Sequence, residues 1–272
     1  TGTEGSMDSS ERFEMYKSTA ILSWFALLQE FYNTIMSMNL DKLIQSRQPN
    51  PLEPLPVEGS DLCSRFERLF TGAVNDVLRE HNLLHQALPT NILPLRDEMI
   101  VAGEAFTIKG APTLEIKDDM RIRGEMLESI TPNSVVVWDT SSDQTSAQWG
   151  EMITMAAKRQ GARGAIVDGG VRDTRQVLSV GFPLWTRYRT SSAMMGRFRI
   201  TGWSIPIQIG GVQIFPGDIV FADIDGVLVI PRKLAYDVLV RSEEIVQGEQ
   251  EIRQWVNDGV PAQEVIDRGG YF

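Results

Sequence analysis

The spacing of apolar and polar residues predicts a chain that alternates between strands and helices. Short apolar runs bounded by turn residues are typical of buried strands. Residues 99–109 alternate around Gly103, which indicates strand structure on both sides of that glycine. Asp-Ile-Asp-Gly at residues 223–226 is typical of a tight hairpin turn. The apolar runs that predict strands are residues 134–139, 165–167, 205–209, 212–215, 219–223 and 227–230.

Apolar residues at helical spacing predict the elements that lie between and around these strands. Strands flanked by helices in this order predict one α/β body built in layers. A long helix over residues 11–47 precedes the body, and its middle, residues 20–32, is apolar nearly all round. Such a helix must be buried, so we expect it to pack on the body and on another subunit. The predicted helices of the body are residues 60–69, 71–82, 115–130 and 232–258.

These elements divide the chain into four segments. Residues 1–6 have the character of an expression remnant. Residues 7–59 combine the N-terminal helix with a stiff proline-rich linker. Residues 60–260 form the α/β domain, and residues 261–272 form a C-terminal tail.

Charge and composition argue against several classes of partner. The net charge of -10, without a run of lysine or arginine, argues against a nucleic-acid surface and an anionic membrane surface. The apolar run at residues 20–32 is too short to cross a bilayer. The single cysteine, Cys63, excludes an internal disulfide and predicts a reducing, cytoplasmic location. We interpret Cys63 as a small buried hydrophobe, with a nucleophilic role as the alternative.

Common catalytic motifs find little support. His81 and His85 stand four apart, but Asn82 follows the first where a zinc protease motif requires glutamate. The sequence has no G-x-S-x-G turn, phosphate-binding loop or G-x-G-x-x-G fingerprint. It therefore disfavours zinc, serine-hydrolase and nucleotide chemistry.

The most informative stretch is residues 149–177, WGEMITMAAKRQGARGAIVDGGVRDTRQV. It predicts a helix that Gly150 opens and Gly161 ends. A short buried strand at residues 165–167 follows. We expect Asp-Gly-Gly at residues 168–170 to break that strand.

Two turns of this stretch are expected to meet. A helix that returns onto a sheet through the next strand brings its own start near the loop after that strand. Glu151 and the dipeptide Arg172-Asp173 should therefore share one pocket. The free amides of Met152 and Ile153 would point into it and place an anion site beside a cation site. The alternative is that Arg172 and Asp173 form a surface ion pair, while Glu151 only favours the start of the helix.

The segment WGEMITMAAKRQGARGAIVDGGVRD at residues 149–173 resembles the RraA-like family. This family contains regulators of ribonuclease activity and the related 4-hydroxy-4-methyl-2-oxoglutarate / 4-carboxy-4-hydroxy-2-oxoadipate aldolases. Further matches follow in the family's order and extend the resemblance over roughly residues 61–258. They are TGAVNDVL at 71–78, GEAFTIKGAP at 103–112, GFPLWTR at 181–187 and IPIQIGGVQIFPGDIVFADIDGVLVIP at 205–231.

The resemblance implies a fold, an assembly and a reaction. The fold is a layered β/β/α swivelling-type domain, here with an N-terminal helical extension. The assembly is a homotrimer with active sites between subunits, or a hexamer made from two trimers. The aldolases use Mg²⁺ or Mn²⁺ to cleave 2-oxo acids into pyruvate and a second oxo acid, and they also decarboxylate oxaloacetate. The implied partner is therefore a small 2-oxo acid.

The resemblance also implies roles for residues of the pocket. Asp173 would bind the metal directly, as a hard oxygen ligand suited to Mg²⁺. Arg172 would bind the substrate's carboxylate and keto oxygen and stabilise the enolate. The pyruvyl carboxylate would lie at the helix start, bound through Gly150, Met152 and Ile153.

Two further carboxylates are implied in the water shell of the metal. Glu151 would bind one metal-bound water, which could serve as general acid and base. Glu249 of a neighbouring subunit would complete this shell, with Glu244 as the alternative residue.

One position departs from the pattern of the aldolases. They carry Glu or Asp three positions after the Arg-Asp aspartate, where this chain has Gln176. Glutamine forms hydrogen bonds but neither accepts a proton nor adds charge near a metal. Two alternatives to the lyase therefore stay open: a non-catalytic regulatory protein that binds a ribonuclease or helicase, and a metal-dependent sugar-acid dehydratase. The segment 113–128 also looks longer than in compact members, which predicts a different far end for the substrate.

Overall fold

The computed structural model describes residues 39–48 and 52–270. The chain divides into two units, Thr1–Gln48 and Pro49–Phe272. In the described part of the first unit, helix α1 (Asp41–Arg47) is exposed along its whole length. The apolar middle of the predicted N-terminal helix and the expected remnant at residues 1–6 lie outside the described residues.

The second unit is a mixed α/β domain, as the apolar pattern predicted. Its helices are α2 (Gly59–Phe66), α3 (Thr71–Glu80), α4 (Asp119–Glu128), α5 (Glu151–Arg159), α6 (Thr174–Val180), α7 (Ala235–Asn257) and α8 (Ala262–Asp267). A 3₁₀ turn at Arg232–Leu234 leads into α7. Among the helices that the structure describes, none has the length and apolar character needed to cross a bilayer.

Eleven strands occur among the described residues 52–270. They are β1 (Leu93–Pro94), β2 (Val101–Pro112), β3 (Ser134–Asp139), β4 (Ala147–Trp149), β5 (Gly164–Val171), β6 (Leu184–Arg189), β7 (Phe198–Trp203), β8 (Ile207–Ile209), β9 (Val212–Ile214), β10 (Ile219–Ala222) and β11 (Val227–Ile230). Nine of them form one sheet with the order β1-β6-β5-β3-β2-β10-β11, to which β4 adds beside β5 and β7 beside β2. Strands β8 and β9 form a separate hairpin.

The centre of the sheet is parallel and buried on both faces. Strands β2, β3, β5 and β6 run parallel, whereas β1, β7, β10 and β11 add antiparallel at the margins. Parallel sheets need cover on both faces, which explains why β3 (Ser134–Asp139) is apolar almost throughout. Val136 and Trp138 belong to one core cluster, and Val135 and Val137 belong to the cluster on the opposite face. A third cluster joins α2, α3 and α7 to β10 and β11.

Two carboxylates buried in the sheet are paired with partly exposed cations on neighbouring strands. Lys109 Nζ lies 2.6 Å from Asp139 Oδ2, between β2 and β3. Asp168 on β5 forms an ion pair with Arg187 on β6. Burial raises the pKa of Asp168, and the Arg187 guanidinium opposes that shift. Each buried carboxylate is therefore compensated by a cation from an adjacent strand.

Two of the predicted strand boundaries are wrong. Strand β2 continues through Gly103, where an added Cβ would lie 2.7 Å from the carbonyl oxygen of Asn133. Gly103 thus permits a close approach of the backbone instead of dividing two strands. Strand β5 likewise continues through residues 168–170 to Val171. Elements β1, β4, β7, α6 and α8 were not predicted.

Cys63 is buried in α2, and its interpretation as a core hydrophobe is confirmed. Burial raises the pKa of its thiol to about 11. Because the thiolate is the reactive form, we expect Ellman's reagent at pH 8 to label the native protein at least ~100-fold more slowly than the unfolded protein. Equal labelling rates in buffer and in guanidinium chloride would contradict this burial.

Candidate active site

One cavity of about 460 Å³ lies where α5 begins and β5 ends. Its polar wall contains four of the residues that the sequence singled out, Gly150, Glu151, Arg172 and Asp173. Met152 and Ile153 line the same cavity. The structure therefore brings the start of the helix and the loop after the strand together, as local pattern alone had led us to expect.

A short parallel pairing between β4 and β5 places these two segments side by side. Trp149 pairs with Val171, and Arg172 N donates to Trp149 O at 3.0 Å. An added Cβ on Gly150 would lie 3.0 Å from Asp173 Oδ2 and 3.2 Å from Arg172 Cγ. The absence of a side chain at Gly150 thus lets Arg172 and Asp173 lie against the helix start.

The pairing depends on two glycines in β5. Gly170 N donates to Gln148 Oε1 at 2.9 Å, so a side chain from β4 takes part in the pairing. An added Cβ on Gly169 would lie 2.2 Å from that same Oε1 atom. One on Gly170 would lie 2.5 Å from the ring of Tyr188 and 2.8 Å from the carbonyl oxygen of Ser146. The glycines at 169 and 170 therefore permit close approach of neighbouring groups, which is why they do not end the strand.

A buried carboxylate fixes the side chain of Gln148. Gln148 Nε2 donates to Asp143 Oδ2 at 2.6 Å. Desolvation raises the pKa of Asp143, but hydrogen bonds from Thr145, Ser146 and Gln148 together hold it below its ordinary value. Asp143 is therefore ionised at neutral pH and orients the amide so that its oxygen faces Gly170.

Hydrogen bonds and an aromatic contact hold the first turn of α5 in place. Trp149 Nε1 donates to Thr154 Oγ1 at 2.7 Å, and Thr154 Oγ1 donates to Gly150 O at 2.9 Å. The Trp149 ring stacks on Phe182 with centroids 6.1 Å apart. No side chain caps the helix start, so its first amides are available to a ligand. Uncapped amides at a helix start are chemically suited to bind an anion.

Arg172 and Asp173 remain accessible to a ligand. Arg172 Nε lies 3.2 Å from Asp173 Oδ2, and their side chains are 44% and 39% exposed. Asp173 has φ +54, in the left-handed region, and precedes α6 without capping it through its side chain. The Asp173 carboxylate is thus in contact with Gly150 and the cavity instead of its own helix. A guanidinium and a carboxylate therefore lie beside the uncapped start of α5.

The oxygen ligands for a metal at this cavity are few. Asp173 and Glu151 are the two carboxylates of its wall. No group of three or more His, Cys, Asp and Glu with metal-binding geometry occurs among residues 39–48 and 52–270. Glu249 lies on α7, outside this cavity, and accepts a hydrogen bond from Arg253 at 2.6 Å. Its predicted role belongs to a neighbouring subunit and stays a prediction.

Sequence reasoning missed part of the cavity wall. Helix α4 contributes Met120, Arg123 and Leu127, and the turn before β7 contributes Met194 and Met195. The spacing of 120, 123 and 127 is that of one helix face, the only local signal that could have indicated them.

Comparison with known proteins places the chain in a family. The family model described as "RraA-like: Aldolase/RraA" matches residues 71–229. A putative 4-hydroxy-4-methyl-2-oxoglutarate aldolase of Halalkalibacterium halodurans is 31% identical over 202 residues, which cover 74% of this chain and 91% of that protein. The chain belongs to the RraA-like family. The resemblance seen in its motifs is thereby confirmed.

Solved structures share the fold of this RraA-like chain. A crystal structure described as that of novel cellulases from microbes associated with the gut ecosystem is 49% identical, with a TM-score of 0.78, and covers 80% of this chain and 99% of its own. Streptomyces coelicolor RraAS2, described as an unusual member of the RNase ES inhibitor RraA protein family, is 26% identical. Its TM-score is 0.65, and the match covers 74% of this chain and 99% of that one. The predicted RraA-like fold is confirmed.

The close contact at Gly170 predicts a measurable loss of stability. Gly170→Ala should lower the free energy of unfolding by about 1–3 kcal/mol, because its methyl group overlaps the Tyr188 ring and the Ser146 carbonyl. The matched control is Gly248→Ala in α7, where an added Cβ meets nothing within 4 Å. That substitution should stabilise the protein by about 0.5–1 kcal/mol. Urea denaturation followed by circular dichroism gives both values, and equal effects would contradict the account.

Proposed function

We propose that this RraA-like chain is a divalent-metal-dependent lyase that releases pyruvate from 2-oxo acids. One observation carries the proposal: a single cavity contains the free amides of a helix start, the Arg172 guanidinium and the Asp173 carboxylate. The amides suit the carboxylate of a 2-oxo acid, the guanidinium suits its keto oxygen, and the carboxylate suits a metal ion. The aldolase name of the Halalkalibacterium halodurans relative supports this reaction class.

The two cavity carboxylates fit a magnesium-type ion. Mg²⁺ keeps several of its waters and is commonly bound through only one or two carboxylates. Asp173 would bind Mg²⁺ or Mn²⁺, with Glu151 beside it. When bound, the ion would supply Lewis-acid polarisation of the 2-oxo group.

The residues of the chain orient the substrate for bond cleavage. The amides of Met152 and Ile153 bind the substrate carboxylate at the positive end of α5. Arg172 donates hydrogen bonds to the keto oxygen, where negative charge grows as the C3–C4 bond breaks. The electron pair of that bond moves to C3 and forms the enolate of pyruvate.

Proton transfer completes the reaction. The C4 hydroxyl loses its proton as C4 becomes a carbonyl carbon, and the C3 atom of the enolate gains one. Glu151 lies in the same cavity wall as Arg172 and Asp173, so we assign it this transfer, directly or through one water. Substrate and products then balance without a further reactant. In oxaloacetate, carbon dioxide leaves C3 instead, and the same enolate is protonated.

Removal of the metal or of its ligand should stop the reaction. Purified protein with Mg²⁺ or Mn²⁺ should release pyruvate from oxaloacetate or 4-hydroxy-4-methyl-2-oxoglutarate, and EDTA should abolish release. Asp173→Asn should lower kcat/KM by at least ~100-fold, because the hard anionic ligand is lost. Pyruvate is measured by coupling to lactate dehydrogenase, with metal and substrate alone as the blank.

A matched control separates this effect from a general change of charge. Asp225→Asn alters an exposed turn and should keep kcat/KM within about twofold. Mn²⁺ binding measured by calorimetry gives a second readout, which Asp173→Asn should weaken and Asp225→Asn should not. Unchanged turnover in Asp173→Asn would exclude Asp173 as the metal ligand.

The regulatory alternative is favoured by one position. Gln176 is exposed in the first turn of α6, close to Asp173 in sequence, and cannot accept a proton. If the absence of an acid there has removed catalysis, wild-type protein will release no pyruvate and Gln176→Glu will release it. Turnover by the wild type that Gln176→Glu leaves unchanged would exclude this explanation.

The activity named for the gut-associated structure is tested separately. A reducing-sugar assay with soluble cellulose as substrate measures it.

A further inference from the structure

A second wall of the cavity contains a guanidinium whose buried Nε has no acceptor. This second wall comes from α4, with Met120, Arg123 and Leu127 on one face, and from Met194 and Met195 in the turn before β7. The Arg123 side chain is 17% exposed, and its Nε is buried without a hydrogen-bond partner among the described residues. Such a donor is costly, because it has lost its water without gaining an acceptor. In a cavity wall, this points to an acceptor that a bound ligand supplies.

Pairing with Asp119 fixes the guanidinium without using all of its donors. Arg123 Nη2 donates to Asp119 Oδ2 one helical turn away, and the Asp119 side chain is only 5% exposed. This is the one hydrogen bond that Arg123 forms with the described residues, whereas a guanidinium carries five N–H donors. Arg123 lines the cavity, and Asp119 is not among its lining residues. A ligand therefore meets the cation of this pair instead of its carboxylate.

The acceptor that best fits these donors is a carboxylate. The planar fork of arginine can bind both oxygens of a carboxylate, and such charge-assisted hydrogen bonds are stronger than neutral ones. The other side chains of the second wall are methionine and leucine, which offer at most a weak sulfur acceptor. Hydrogen bonds are electrostatically stronger beside apolar groups than in water. The second wall thus provides strong donors and depends on a ligand for the matching acceptor.

The second wall and the polar wall belong to one binding space. Arg123 and the groups at the start of α5 line the same cavity of about 460 Å³, a size typical of small-molecule sites. Ala147 N donates to Ser192 O at 2.8 Å, which ties the turn of the second wall to β4. One cavity therefore contains two places for a carboxylate, the uncapped amides of α5 and the Arg123 guanidinium.

We propose that Arg123 binds the second carboxylate of a 2-oxo diacid. Arg123 is then a specificity-determining residue, because its donors distinguish diacids from 2-oxo acids that end in a methyl group. This inference rests on the proposed function, in which a 2-oxo acid binds with its first carboxylate at the start of α5. It assigns the far end of the substrate to a residue outside the stretch 149–173.

Three ligands test the proposal by calorimetry on the full chain in buffer with Mn²⁺. All three lack the C4 hydroxyl that retro-aldol cleavage requires, so they bind without reacting. Pyruvate provides the 2-oxo acid head alone, 2-oxopentanoate adds an apolar tail, and 2-oxoglutarate has a carboxylate in place of the terminal methyl group of that tail. We expect 2-oxoglutarate to bind at least ~10-fold more tightly than 2-oxopentanoate, because its second carboxylate accepts charge-assisted hydrogen bonds from Arg123.

Arg123→Met should remove this preference. It should weaken 2-oxoglutarate binding at least ~10-fold and leave pyruvate and 2-oxopentanoate within about threefold, because only the diacid loses hydrogen bonds. The ratio of the 2-oxoglutarate and 2-oxopentanoate affinities is the decisive readout, since a purely structural role of Arg123 would weaken all three ligands alike.

The matched control removes the same charge from the same helix. Arg121 is 60% exposed and is not among the residues that line the cavity, so Arg121→Met should leave all three affinities within about twofold. Arg123→Met leaves the buried Asp119 carboxylate unpaired, and circular dichroism shows whether the variant folds. If it does not, Asp119→Leu combined with Arg123→Met replaces the whole pair by apolar groups and should show the same loss of preference.

The outcomes separate this inference from the proposed function. Binding of pyruvate without a preference for 2-oxoglutarate, or a preference that Arg123→Met leaves unchanged, would overturn the role of Arg123 and leave the lyase assignment standing. A preference that Arg123→Met abolishes, in a protein that releases no pyruvate from any substrate, would support Arg123 and count against the lyase. Failure of all three ligands to bind would overturn the 2-oxo acid site and the inference with it.

Discussion

The candidate site depends on the pairing of a three-residue strand, β4, with the end of β5. This pairing places the first amides of α5 beside Arg172 and Asp173, and it is held by Arg172 N–Trp149 O and Gly170 N–Gln148 Oε1 hydrogen bonds. A side chain at Gly169 would overlap Gln148 Oε1, and one at Gly170 would overlap the Tyr188 ring and the Ser146 carbonyl oxygen. Glycine loses more conformational entropy on folding than other residues, so these positions cost some folding stability. In return, the groups of the site are in place before a ligand binds. The chemistry of the cavity is therefore a consequence of a backbone constraint.

Electrostatics follow from the same arrangement. The positive end of α5 and the Arg172 guanidinium attract an anion, while Asp173 next to them attracts a cation. Away from the cavity, the buried carboxylates of Asp139 and Asp168 are paired with Lys109 and Arg187. Compensation is needed there because a lone buried charge is strongly destabilising. The candidate site differs in that its charges are 44% and 39% exposed and thus available to a ligand.

The parts of the molecule that could be predicted from sequence are those governed by local patterns. Residues 134–139 are apolar because β3 is buried on both faces, and this run predicted the strand. The spacing of apolar residues in α5 follows its buried face, and this spacing predicted the helix. The meeting of Glu151 with Arg172 and Asp173 followed from chain reversal over a short distance. The glycines at 103, 169 and 170 were wrongly predicted to interrupt strands. Glycine is required there by close contacts with residues distant in sequence, namely Asn133, Gln148 and Tyr188. The length of segment 113–128 indicated that it bears on the far end of the substrate, but nothing in its sequence specified which side chains of α4 line the cavity.

The two walls of the cavity come from different segments of the chain, so substrate choice and reaction type can change independently. The polar wall comes from one contiguous stretch, residues 149–173, whereas the second wall comes from α4 and from Met194 and Met195. A change in α4 can therefore alter the far end of the ligand without moving the groups that act on the 2-oxo acid head. Because binding energy at a far end contributes to the choice of substrate more than to the type of reaction, proteins of one fold can differ in substrate while retaining one kind of chemistry.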